Sequence, residues 1–256
     1  VSTNHPKDAL SIATKQLEKS PSDEDYLVAI AQSKRLMGDW ETAIEVFTKL
    51  YNFKNETKYA LLLADAIGET DSGNALPLYE KAMAKGGNFS PIFYYNLSLH
   101  YLRTHNFKEG WRLYEYGLDR EIGVFGRKVP YNLKGTYRAD LVKNHEPSNW
   151  TIVCTEQGIG DQLICLSSLK EAQQEYPKII LVCEKRMASI IHRSFPDVKL
   201  VTNGKIGDEQ FNNITQNHGY MPMCSMLAKY RPSTESFLAN RKPFISVDGD
   251  LYYQYK

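Results

Sequence analysis

The sequence predicts a two-part fold, α followed by α/β: an all-α repeat array, then a parallel sheet with crossover helices. Three observations carry this. Small residues recur inside helical apolar patterns at a nearly constant interval through the first half. A short apolar run, Ile152-Val153-Cys154, passes through a glycine-containing turn into an apolar helix pattern. From there onward, continuous apolar runs alternate with helical patterns, as expected for strands covered on both faces.

The totals narrow the function classes. The chain has 256 residues, room for two modest domains. Its 31 basic and 30 acidic residues leave a net charge of +1, which removes the electrostatic case for nucleic acid or an anionic membrane as partner. Cys154, Cys165, Cys183 and Cys224 have no C-x-x-C spacing, and three of them sit in apolar runs. They read as buried free thiols in a reducing compartment, so a cytoplasmic protein is expected. No apolar run approaches the ~18 residues of a membrane span. No signal-peptide pattern opens the chain, and the start at Val1 reads as that of a fragment or processed form.

Residues 1–120 are assigned to the repeats. The small residues are Ala9, Ala43, Ala75 and Gly110, separated by 34, 32 and 35 residues in turn. Four positions after each stands Ala13, Phe47, Tyr79 or Tyr114, and thirteen before the last three stands Ile30, Leu62 or Leu97. Trp40 and Phe107 precede two of them by three, and Pro21 stops the first helix. A small residue lets two antiparallel helices approach, and the aromatic fills the gap toward the next pair. The pattern resembles the tetratricopeptide repeat, with its ~34-residue period. Three repeats and a leading half are expected. The inner-face positions Val28, Ala60, Ala64, Tyr95 and Leu99 are largely apolar, and no Lys/Arg/Asn clamp for a peptide carboxylate gathers there. The array therefore reads as a scaffold or a surface for a protein partner or self-association.

Residues 121–150 read as a linker broken by Gly123, Gly126, Pro130 and Gly135, with a short strand near Val124-Phe125. Residues 151–256 read as the sheet. Strands are expected at 152–154, 179–183, 198–201 and 220–223. Helices are expected from Asp161 to Tyr176, around Met187 to Phe195, and from Ser225 to Tyr230. Asp248 and Asp250 read as turn residues.

The stretch Glu156-Gln157-Gly158-Ile159-Gly160-Asp161 holds the candidate site. A strand-to-helix turn at the carboxyl edge of a parallel sheet presents free N–H groups and a positive helix end. The two glycines are expected to let the backbone turn sharply and a ligand come close. The third glycine of a dinucleotide fingerprint is missing, and no G-K-[ST] follows. Spacing thus indicates a polar or anionic ligand near the helix start. Asp161 also suits the N-cap of the helix, a role needing no chemistry. Glu156 and Gln157 suit a polar turn that bonds its own backbone. His192 and His218 have no partner at metal-ligand spacing, so no metal is expected.

E-Q-G-I-G-D ahead of an apolar helix resembles the corresponding turn of bacterial glycosyltransferases built from two Rossmann-like halves (the GT-B fold), the lipopolysaccharide heptosyltransferases among them. The whole chain more closely resembles proteins that join tetratricopeptide repeats to such a transferase, of the O-GlcNAc-transferase type. Their repeats end in a segment like Asn106-Phe107-Lys108-Glu109-Gly110-Trp111-Arg112-Leu113-Tyr114-Glu115, and here the turn begins 41 residues after Glu115. Ser194-Phe195-Pro196-Asp197-Val198 and Tyr220 to Leu227 match further segments. The resemblance implies transfer of a sugar from a nucleotide-sugar donor to an acceptor hydroxyl, with inversion. It gives Asp161 the role of base and places Glu156, Gln157, Gly158, Gly160 and Gln162 around the substrate. It also implies a second, donor-binding half, which these 256 residues do not supply. No cofactor is expected for this chain, a nucleotide-sugar donor only with that further domain, and little transfer from the chain alone. The alternative is a non-catalytic protein-interaction module built on the repeats.

Overall fold

The computed structural model describes residues 5–118, 151–154, 158–176, 178–202, 219–239 and 241–254, and the fold is α followed by α/β. The linker expected at 121–150, with its strand at Val124-Phe125, lies outside the described residues. The chain divides into two compact units, Val1–Thr104 and His105–Lys256. Among the described residues, no helix is long and apolar enough to cross a membrane.

The first unit is a series of helices: α1 (Pro6–Lys19), α2 (Glu24–Leu36), α3 (Trp40–Lys54), α4 (Thr57–Gly68), α5 (Ser72–Ala84) and α6 (Pro91–Arg103). Each packs on the next in sequence. Aspartates start three of them: Asp23, Asp39 and Asp71 each accept backbone N–H groups of the first turn. Gly38 ends α2 at φ 84°, in the left-handed region open to glycine, and the Asp39 N–H reaches back to the Lys34 carbonyl. Of the four small residues of the repeat, Ala43, Ala75 and Gly110 are buried and Ala9 is only half-buried. Ala43 and Ala75 are fully buried, with Phe47 and Tyr79 beside them. Phe47, Leu50, Tyr59 and Leu63 form the centre of the core. Ala60, Ala64 and Tyr95 are buried. Trp40 departs from the pattern and stays 39% exposed.

The second unit includes α7 (Phe107–Tyr114) and, among the described residues, four parallel strands: β1 (Thr151–Cys154), β2 (Ile179–Cys183), β3 (Lys199–Thr202) and β4 (Gly219–Pro222). Between them run α8 (Ile159–Leu166), α9 (Leu169–Glu175) and α10 (Ala188–Ser194), and after β4 come α11 (Ser225–Tyr230), α12 (Thr234–Ala239) and α13 (Gly249–Gln254). The strand order is β3-β2-β1-β4. β1 and β2 are buried along their whole length, which explains their unbroken apolar sequence.

Three expectations are corrected here. The single helix from Asp161 to Tyr176 is two helices, because Ser167 and Ser168 break it. The Ser168 hydroxyl donates to the Cys165 carbonyl at 2.9 Å, and the Arg231 guanidinium takes the Ser167 carbonyl at 2.5 Å. That helix begins at Ile159 and not at Asp161. Asp250 lies in α13 rather than a turn, and Asp248 just before it meets Arg193 at 3.2 Å.

The Asn106-to-Glu115 segment, which in sequence closes the repeats, is bonded within the second unit. The Trp111 indole N–H donates to the Arg231 carbonyl at 2.8 Å, and the Phe107 and Phe237 rings pack at 4.8 Å. Ser225 donates to the Glu115 carboxylate at 2.8 Å. Arg231 itself is 1% exposed and meets the Glu171 carboxylate at 2.7 Å. One buried arginine thus joins α8, α9 and α11, and its carbonyl anchors α7.

Candidate functional site

With β1 between β2 and β4, the chain leaves β1 toward β2 on one side and returns to pair on the other. The strand order therefore reverses direction between β1 and β4. Ligands of open parallel sheets sit outside the carboxyl ends of the strands at such a switch point. β1 ends there at Cys154, and the first turn of α8 lies by the carboxyl end of β2, where Gln162 meets Glu184.

Gly158 is the N-cap of α8, with φ −83° and ψ 175°, and Gly160 lies inside the first turn. Neither takes the left-handed conformation. The expectation that these glycines serve a sharp turn is thus corrected: their backbone suits any residue. Their effect is on space. A Cβ at Gly160 would meet nothing within 4 Å, and one at Gly158 would only touch the Asp161 carboxylate at 3.7 Å. The outer surface of the turn is bare backbone that a ligand can approach closely.

Asp161 stands at the third helical position and is exposed. One of its carboxylate oxygens accepts the Gly158 N–H at 3.1 Å. It reaches back to the cap residue instead of being the cap, the N3 half of a capping box. A negative charge in the first turn is also favoured by the helix dipole. The other oxygen makes no hydrogen bond among the described residues, which leaves an exposed carboxylate oxygen at the sheet edge.

Gln162 is 1% exposed. Its amide donates to Glu184 at 3.2 Å, and its carbonyl oxygen has no partner among the described residues. Glu184 follows β2 directly and is gripped by Arg186 at 2.6 Å. The guanidinium holds the Glu184 carboxyl below the usual carboxylate range. Sequence reasoning missed Glu184. The available signal was a charged residue immediately after the apolar run 179–183, which places it at the carboxyl end of β2.

The structure therefore brings Gly158, Gly160, Asp161 and Gln162 together and adds Glu184. Glu156 and Gln157 lie outside the described residues. His192 is exposed on α10, and His218 lies outside the described residues. Among the described residues, no cluster of three metal-ligating side chains occurs. In comparison with known proteins, no family model matches this chain and no characterised relative matches it either.

Proposed function

We propose that this chain carries the acceptor-side half of a GT-B-type glycosyltransferase, joined to tetratricopeptide repeats, and that it works in the cytoplasm. The observation that supports this most is the position of the Gly158–Asp161 turn at the carboxyl edge of a parallel sheet, beside the point where strand order reverses. On this reading Asp161 takes the proton of an acceptor hydroxyl as that oxygen attacks the anomeric carbon of a nucleotide sugar; the bond from that carbon to the phosphate oxygen breaks, and the nucleotide leaves with the electron pair. A base of this kind needs an exposed oxygen within about 3 Å of the hydroxyl. The bare backbone at Gly158 and Gly160 lets the sugar come that close, and Gln162 with Glu184 fixes the floor behind it. The donor is a nucleotide sugar held by a further domain, and the repeats serve as scaffold or partner surface.

The test is calorimetric titration of the chain with free acceptor sugars and with nucleotide sugars. Heat with acceptor sugars that Gly160→Ala weakens is expected, because the added methyl group occupies the approach to the turn. Absence of binding by either ligand class would sink the proposal.

A further inference from the structure

Two of the four thiols meet. Cys165 on α8 and Cys224 at the start of α11 are 1% and 3% exposed, and their sulfurs stand 2.8 Å apart. Neither is in a disulfide. They lie 59 positions apart in sequence, so the fold and not a local motif brings them together. Their backbones are tied on both sides. The Cys165 carbonyl accepts the Ser168 hydroxyl and N–H, and the Cys224 carbonyl accepts the Leu227 N–H. A disulfide needs its sulfurs at ~2.05 Å, so less than ~1 Å of approach separates this pair from a bond.

We propose that Cys165 and Cys224 form a reversible disulfide, an intramolecular modification site that staples α8 to α11. The oxidant is hydrogen peroxide, small enough to enter during local opening of the helices. One thiol, as thiolate, attacks a peroxide oxygen. The O–O bond breaks, water leaves, and the sulfur becomes a sulfenic acid. The second sulfur attacks it, the S–O bond breaks, and a second water leaves. Two thiol protons and two electrons pass to the peroxide, and one S–S bond forms. A dithiol reductant reverses the step.

The staple has consequences for the fold. α8 carries Gly160 and Asp161 in its first turn, and α11 is followed directly by Arg231, the buried arginine that anchors α7. Oxidation closes a long loop between the two helices and constrains the unfolded chain.

The experiment oxidises the folded chain with hydrogen peroxide, unfolds it in denaturant with excess peroxide removed, and counts thiols. The expected result is a drop from four to two, with peptide mapping placing the link between Cys165 and Cys224. The melting temperature rises on oxidation and returns with reductant. Cys165→Ser and Cys224→Ser each keep their three thiols. Retention of four thiols, linkage of another pair such as Cys154 with Cys183, or oxidation to sulfinic acid without a link each overturns the proposal. Mapping on the unmutated chain decides the matter even where a serine variant fails to fold.

Discussion

Gly68→Ala tests how the first unit is packed. Gly68 ends α4, and the His100 ring of α6 lies where a side chain would begin. A Cβ built at Gly68 falls 2.0 Å from His100 Cε1 and 2.8 Å from each ring nitrogen. The ring cannot retreat freely. His100 is 5% exposed, its Nδ1 bonds to the Ser72 hydroxyl at 3.1 Å, and its face packs against Tyr79 at 5.3 Å. Overpacking of this kind costs about 1–3 kcal/mol, and loss of the Ser72 bond adds about 1 kcal/mol. The better helix propensity of alanine returns at most ~1 kcal/mol, less at a helix end. The expected net loss is about 1–3 kcal/mol. Urea denaturation followed by far-UV circular dichroism measures it. The same substitution made in a His100→Ala background removes the clash and should be neutral or stabilising. A Gly68→Ala variant as stable as the parent chain would refute the packing argument.

Three further outcomes follow from the same structure. Burial, with Arg103 nearby, pushes the His100 pKa down from 6.5 to about 4. The neutral ring is the form the fold accepts, so its contribution is complete above pH 6.5 and is lost as pH falls toward 4. The full loss is about 3 kcal/mol. Asp65, whose burial raises its carboxyl pKa, works in the opposite direction, so the chain is compared with His100→Gln and only the difference is assigned to His100. Identical acid profiles for the two would remove the assignment. Arg231→Met leaves the Ser167 carbonyl and the Glu171 carboxylate without their donor and should destabilise the second unit by about 3 kcal/mol, with an earlier denaturant midpoint for Trp111 fluorescence. An unmoved midpoint would show that the arginine is not an anchor. Gly160→Ala should raise stability by up to ~1 kcal/mol while weakening sugar binding, and lower stability would contradict the open space around that position.

Sequence periodicity made much of the fold legible. The buried Ala43, Phe47, Ala75 and Tyr79 came from one repeating interval, since interhelix contacts demand the same sizes at the same places. The strand Ile179–Cys183 was readable because a strand covered on both faces has no polar positions. The break at Ser167-Ser168 was hidden, because apolar residues continue in step across it. One of the bonds made at the break comes from a guanidinium 64 positions away. At Gly158 and Gly160 residue identity suggests a sharp turn but does not reveal φ, and the structure shows open space and no left-handed backbone. Asp161 was readable as a helix-start residue, yet its bond runs back to Gly158 and not forward as a cap. Glu184 and the Cys165–Cys224 contact depend on chain segments meeting in space, which no local spacing encodes.

The base role proposed for Asp161 is tested by Asp161→Asn, assayed with a donor-binding domain present. The asparagine oxygen can still accept the Gly158 N–H, so the helix start is kept and only the charge is lost. Sugar transfer should fall about 10²-fold or more, with stability lowered by no more than ~1 kcal/mol. Transfer at the parent rate by the asparagine variant would contradict it.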